Sequence, residues 1–252
     1  MNNIFDLSDL VNNPTPRVPI ALLIDTSGSM IRVVRDEGQK KTFNLKVDGS
    51  TYCYTTNGIP AIIDVNTGVN DFLDAIRTDE VAVNSAEICV ITFGERAKLV
   101  SDFETVDRRG MLQFRPYGMT YLGEAVNLAL DRLEARKQEY KDKGVDYFQP
   151  WLVIITDGEA NGSAVQMEMA ISRVGELVNN RKLTVLALGV GPEADMKTLK
   201  ALSPKREPVK INEAKYKEFF EWLSKSVVAT AESMPGEIQT LDMDGIQGWG
   251  EL

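Results

Sequence analysis

The chain has 252 residues, 43% of them hydrophobic, with 37 Asp and Glu against 28 Lys and Arg, a formal charge of −9, two cysteines and no histidine. Without histidine there is no Ser-His-Asp or Cys-His nucleophile pair, no His-bearing zinc site and no imidazole proton shuttle, so any metal must use oxygen ligands. The acid excess argues against a nucleic-acid binder, the distant Cys53 and Cys89 form neither a disulfide framework nor a zinc pair, and Cys89 reads as a small buried hydrophobe.

Residues 1–17 are polar and close on Pro14 and Pro16, with Pro19 just beyond, as expected of an extended lead-in. The lead has no basic region followed by an apolar one, and no stretch reaches about 18 apolar residues, so a soluble, cytoplasmic protein with no membrane contact is expected. Val18–Ile24 is a short continuous apolar run, the pattern of a strand buried on both faces of a parallel sheet. Runs at Ile88–Phe93, Trp151–Ile155 and Leu183–Leu188 repeat it. Between them lie helical stripes. Ile62, Val65, Val69, Phe72, Leu73 and Ile76 share one face, with Pro60 suited to the first turn. Leu122, Ala125, Val126, Ala129, Leu130 and Leu133 form a second stripe on a helix whose far end, through Lys143, reads as charged and solvated. Met167, Ala170, Ile171, Val174, Leu177 and Val178 form a third after a Ser163 cap, and Tyr216, Phe219, Phe220, Leu223 and Val227 a fourth.

This alternation predicts an α/β fold with a doubly wound, mostly parallel sheet and helices on both faces. Ala97–Ser101 follows the second strand after three residues, too few for a crossover, and is expected as an antiparallel edge strand; Pro208–Ile211 offers a last edge strand. The domain is expected over 18–231, followed by an acidic, flexible tail over 232–252. Two segments break the rhythm. In 31–59, alternating residues around Asp48-Gly49 predict a β-hairpin insertion, and the segment carries a local charge of +2. The tail from Glu232 holds five acids and no Lys or Arg, with Trp249 as one large aromatic, and reads as a docking or self-association segment.

Chemistry concentrates where strands end. The first run leads into Asp25-Thr26-Ser27-Gly28-Ser29, the third into Thr156-Asp157-Gly158, and Gly118-Met119-Thr120 precedes the second long helix. Ligands of parallel α/β sheets bind outside the carboxyl ends of strands, and hydroxyls beside carboxylates are hard donors suited to Mg²⁺ or Mn²⁺. Taken singly, Ser27, Ser29 and Asp157 also fit turn and capping roles. Three other patterns compete. Gly189-Val190-Gly191-Pro192-Glu193-Ala194 matches a dinucleotide fingerprint, with Glu213 placed for a ribose, although it follows a late strand and reads better as a strand-to-helix turn. Asp25 as a Mg²⁺-dependent phosphatase nucleophile lacks the second aspartate of an Asp-x-Asp pair, since Ser27 occupies that position. Asp242-Met243-Asp244-Gly245 lacks the remaining ligands of a calcium loop.

Asp25-x-Ser27-x-Ser29, Thr120 in Gly-x-Thr and Asp157 in Thr-Asp-Gly together resemble the metal-ion-dependent adhesion site (MIDAS) of von Willebrand factor A domains, over roughly Val18 to Thr230. The runs PIALLIDTSGSM and PVKINEAKYKEFFEWLSKSV, with the edge strand after ITFG, further resemble the TerY-type bacterial proteins of tellurium resistance and stress response. The resemblance implies a Mg²⁺ ion, or Mn²⁺ or Ca²⁺, bound by Ser27 and Ser29. Thr120 binds directly or through water, and Asp25 and Asp157 act mostly through bridging water. It implies no catalysis but capture of an Asp or Glu from a protein partner, in a stress-response or defence complex that includes a phosphatase and a kinase. Partnership with an intracellular ATPase is the alternative.

Overall fold

The computed structural model describes residues 10, 13–36, 38–158, 160–191, 194–211 and 216–236. Most of the N-terminal lead, Glu213, and the tail beyond Gly236 therefore lie outside the described residues. The strands are β1 (Val18–Asp25), β2 (Val33–Arg35), β3 (Lys41–Val47), β4 (Ser50–Thr56), β5 (Ile59–Pro60), β6 (Ala86–Phe93), β7 (Ala97–Thr105), β8 (Trp151–Thr156), β9 (Thr184–Val190) and β10 (Val209–Ile211). The helices are α1 (Ala61–Arg77), α2 (Ala82–Ser85), α3 (Leu122–Lys143), α4 (Ala164–Asn179), α5 (Met196–Leu202) and α6 (Tyr216–Ala231).

Six strands form one sheet in the order β10-β9-β8-β1-β6-β7, parallel throughout except for β7, which pairs antiparallel with β6. β1 and β6 are buried at every position, because each face of the sheet carries its own apolar layer. Ile20, Leu22 and Ile24 point into one layer with α1 and α6; Ala21 and Leu23 point into the other with α3, α4 and α5. Side chains that alternate across a strand thus both meet helices, which is why these strands read as unbroken apolar runs. Cys89 lies in the second layer, fully buried, and burial pushes its thiol up to about 12.

The sequence patterns hold with three adjustments. Pro60 is the residue that caps α1, one position ahead of the helix, because it also pairs with Val33 in a small antiparallel ribbon. Of the α4 stripe, only Ala170, Val174 and Val178 are fully buried; Met167, Ile171 and Leu177 flank the core at its margin. The far half of α3 is not simply solvated. Arg136 and Tyr140 turn inward to Glu87 of β6, which accepts hydrogen bonds from Arg136 Nε (2.7 Å) and Nη2 (2.9 Å) and from the Tyr140 hydroxyl (2.5 Å). Arg17, at the entry to β1, pairs with the same carboxylate at 3.1 Å. A carboxylate and two guanidiniums thereby share a buried site at the N-terminal end of the central strands. The hairpin β3–β4 turns at Asp48 and Gly49, both with positive φ (50° and 77°), as the Asp-Gly pair predicts.

Candidate metal centre

β1 and β8 are adjacent and parallel, so Asp25 and Asp157 emerge at the same, C-terminal, edge of the sheet. Beyond Asp25 the chain bends into a short 3-10 turn over Gly28–Ile31. Asp25 Oδ1 accepts from the backbone N–H of Ser27 at 2.7 Å, a local turn that directs the Ser27 side chain back over the strand end. Ser27 Oγ and Ser29 Oγ lie 2.9 Å apart, and Ser29 Oγ donates to Asp157 Oδ1 at 2.8 Å. Four of the five residues named from the sequence therefore form one hydrogen-bonded chain, although 128 positions separate Ser29 from Asp157.

Thr120 arrives by a different route. The N–H of Gly28 donates to Gly118 O at 2.9 Å, and the Thr120 carbonyl accepts from Asn161 N at 3.0 Å. The loop before α3 is thus stitched to both the 25–29 and the 157–161 segments, and Thr120 is buried at their junction. This stitching demands close backbone approach. A Cβ on Gly94 would stand 2.2 Å from Tyr117 O, and one on Gly118, whose φ is +84°, would stand 2.3 Å from Glu95 N. Neither position admits a side chain without displacing the loop.

Burial sets the electrostatics of the cluster. Asp25 is fully buried, and desolvation raises its pKa to about 7, opposed by hydrogen bonds from Thr156 and Ser27 and reinforced by the nearby Asp157. Asp157 is also raised, again first by burial, with Arg32 pulling the other way. Two buried carboxylates with hydroxyls as immediate neighbours form a concentration of oxygen donors whose charge a divalent cation would neutralise. Among the described residues no group of three or more His, Cys, Asp or Glu converges anywhere, so a metal site built on acids or thiols alone has no counterpart there. The donor set present fits a hard cation held largely by hydroxyls.

One participant escaped the sequence reading. Thr156 Oγ1 donates to Asp25 Oδ2, so both oxygens of Asp25 are occupied. The available signal was a hydroxyl at the last position of an otherwise apolar strand, WLVIIT. The hairpin insertion lies beside this edge. Lys46 N donates to Gln113 Oε1 at 2.8 Å, and the Arg115 guanidinium lies 4.1 Å from the Tyr52 ring centroid and 4.6 Å from that of Tyr117. Tyr117 and Met119, on the same loop, are exposed on the approach to Thr120. The dinucleotide reading gains nothing at Gly191, where the chain leaves β9, because Pro192, Glu193 and Glu213 lie outside the described residues.

No family model and no curated protein sequence matches the chain. Solved structures do. A von Willebrand factor type A protein from Catenulispora acidiphila superimposes with a TM-score of 0.53 at 16% identity, over 84% of this chain and 43% of its own. Proximal thread matrix protein 1 from the mussel byssus, solved with zinc in its MIDAS motif, gives 0.52 at 16% identity over 87% and 47%. The von Willebrand factor domain of the type V pilus tip protein Mfa5 from Porphyromonas gingivalis gives 0.58 at 10% identity, over 89% and 99%. The chain thus spans less than half of the first two proteins and nearly all of the Mfa5 domain. It has the von Willebrand factor A fold, a six-stranded, mostly parallel sheet with one antiparallel edge strand and helices on both faces.

Proposed function

We propose that this chain is a non-enzymatic, divalent-metal-dependent protein-binding module, with Ser27 and Ser29 binding the ion by their hydroxyls, Thr120 binding it directly or through water, and Asp25 and Asp157 acting mostly through bridging water. The observation that carries this reading is the convergence of Ser27, Ser29 and Asp157 into one hydrogen-bonded cluster beside buried Asp25 and Thr120. Mg²⁺ favours about six oxygen ligands near octahedral geometry and retains water readily. Three neutral hydroxyls leave its charge under-compensated, while two surrounding aspartates orient them. Such an ion attracts a further carboxylate, and an Asp or Glu of a protein partner is the expected ligand. The zinc-occupied MIDAS of the mussel protein supports a divalent ion on this fold, and Mg²⁺, with Mn²⁺ or Ca²⁺ as substitutes, follows from the oxygen donors.

The exposed Tyr117 and Met119 and the locally basic hairpin flank the approach, and the hairpin's Lys and Arg residues steer an acidic partner toward the ion. Burial speaks against Asp25 as a phosphatase nucleophile: the side chain is inaccessible and both oxygens already accept hydrogen bonds. A role as scaffold in a bacterial stress-response complex such as tellurium resistance, with an associated phosphatase and kinase, rests on the TerY-like runs of the sequence. A cytoplasmic site of action rests on the same ground; among the described residues no helix is long and apolar enough to cross a membrane.

The test is a Mg²⁺ and Mn²⁺ titration of the wild type, Ser27→Ala and Asp157→Asn, followed by partner capture with and without chelator. Metal binding lost in both variants, with capture lost on chelation, supports the reading. Mg²⁺-dependent phosphatase turnover abolished by Asp25→Asn overturns it in favour of an enzyme.

A further inference from the structure

At the opposite end of the sheet from the metal centre, a cleft of about 840 Å³ opens between the C-terminal half of α3, the entry to β8, the end of α4 and the 203–206 turn. Among the described residues six cations line it, Lys137, Lys141, Arg181, Lys182, Lys205 and Arg206, against one acid, Glu134. In a chain of net charge −9 this local excess of +5 is the reverse of the whole. Only part of it is answered internally. Lys137 pairs with Glu134 at 2.5 Å, and Lys205 Nζ donates to Val178 O at 3.0 Å. Lys141 and Lys182 also attract Glu134, at longer range, whereas Arg181 and Arg206 form no ion pair among the described residues. Arg206 is half-buried, and burial pulls its pKa down.

The kind of anion follows from what else meets the cleft. α3 and α4 reach it by their C-termini, α6 contributes Thr230 near its C-terminus, and Gly236 lines it from beyond that helix. Helix C-termini present carbonyl groups equivalent to roughly half a negative charge, which favours the cations gathered here and offsets part of their charge. The cations come from three separate segments, 137–141, 181–182 and 205–206, so several carboxylates of one acidic peptide can be met together. Gly236, where the described chain stops, is itself part of the lining. The residues that follow, 237–252, carry Glu237, Asp242, Asp244 and Glu251 with no Lys or Arg, a charge of −4. The same stretch of sequence contains Leu241, Ile246 and Trp249, and the cleft walls include Leu177 and Pro204.

We propose that the basic cleft is the docking site of the chain's own acidic segment, residues 237–252, which enters it directly from Gly236. A tether this short keeps the segment at millimolar effective concentration, so modest charge pairing suffices to hold it. Docked there, its carboxylates are kept at the far end of the molecule from the Asp25 and Asp157 edge. The inference stands independently of the metal-binding reading, since no residue is shared.

The full-length protein tests it by zero-length carboxyl-to-amine cross-linking with peptide mass spectrometry, on a mixture of ¹⁴N- and ¹⁵N-labelled chains. The expected links join Glu237, Asp242, Asp244 or Glu251 to Lys141, Lys182 or Lys205 within one chain. They should fall about ten-fold, the loss expected for roughly 1.4 kcal/mol, in Arg181→Glu/Arg206→Glu, which leaves the reacting lysines in place. At about 1 M salt, where screening shortens to about 3 Å, the same fall is expected. Asp242→Asn/Asp244→Asn, which alters only the segment, should lower the remaining Glu237 and Glu251 links in parallel. Links spread equally to Lys40, Lys41 and Lys46 of the hairpin, links solely between differently labelled chains, or links indifferent to the double charge reversal would each overturn the proposal. So would tripolyphosphate stabilising the protein with no segment link detected.

Discussion

Asp25 has both carboxylate oxygens engaged, no exposure to solvent and a second carboxylate nearby, and these facts set its behaviour with pH. Its folded pKa of about 7 lies above the ordinary 3.8, so the folded protein binds more protons than the unfolded chain between those values. Stability of the metal-free protein must then fall as pH rises through that window. Asp157, raised in the same direction, adds to the slope. The full penalty is on the order of 4 kcal/mol at neutral pH, taking about 1.4 kcal/mol per unit. Urea unfolding at pH 4.5 and 7.5 in chelator should show this loss, and Asp25→Asn should remove most of it. A wild-type profile as flat as that of Asp25→Asn would refute the assignment. Saturating metal offsets much of the penalty, because the cation replaces the proton in balancing the carboxylates. At about one hundred times its dissociation constant it contributes about 2.7 kcal/mol. That corresponds to a rise of roughly 5–10 °C in melting temperature for a chain of this size. Ser27→Ala should keep the fold and abolish that rise in a thermal scan with Mg²⁺.

Elements fix where these residues meet. Glu87 of β6 joins Arg17 before β1 to Arg136 and Tyr140 of α3, so a single buried carboxylate ties two central strands to the helix that follows Thr120. Burial disfavours the Arg136 charge, but hydrogen bonding and attraction from Glu87 outweigh it and hold the guanidinium firmly protonated. Glu87→Gln removes the carboxylate that Arg17 and Arg136 share, although Arg136 keeps its pair with Glu139, and should cost about 3–5 kcal/mol by urea denaturation. Because the network lies at the other end of the strands, metal affinity of the variant should be unchanged while it remains folded. The hairpin is tied differently, through Gln113, Arg115 and an exposed Lys98–Asp48 pair of 3.0 Å. Its deletion over 38–57 should weaken partner capture without removing metal binding; equal capture by the deleted and intact proteins would show that the hairpin plays no part in steering.

On the scale of the whole molecule, the metal edge and the basic cleft occupy opposite ends of one rigid sheet, with no residue in common. Distant sites without shared partners behave additively within a few tenths of a kcal/mol. Arg181→Glu/Arg206→Glu should therefore leave metal affinity within about two-fold of the wild type in calorimetric titration. The −9 charge is likewise not uniform: five of the acids fall after residue 231, and cations collect at the cleft.

The sequence by itself determined the parallel sheet, its antiparallel edge strand, the long helices and the hairpin, because strands buried on both faces and helices buried on one leave unmistakable periodicities. It also marked the five candidate site residues, since each sits at a strand end or before a helix where such sheets present their ligands. Tertiary structure alone decided what those patterns do not encode. The Thr156 bond to Asp25, the inward turn of Arg136 and Tyr140, and the gathering of six cations from separate elements all depend on which chain segments become neighbours. A residue's own periodicity reports whether it is buried. It carries no information about the partner it meets there, and the pKa of Asp25 and the charge of the cleft are properties of those partners.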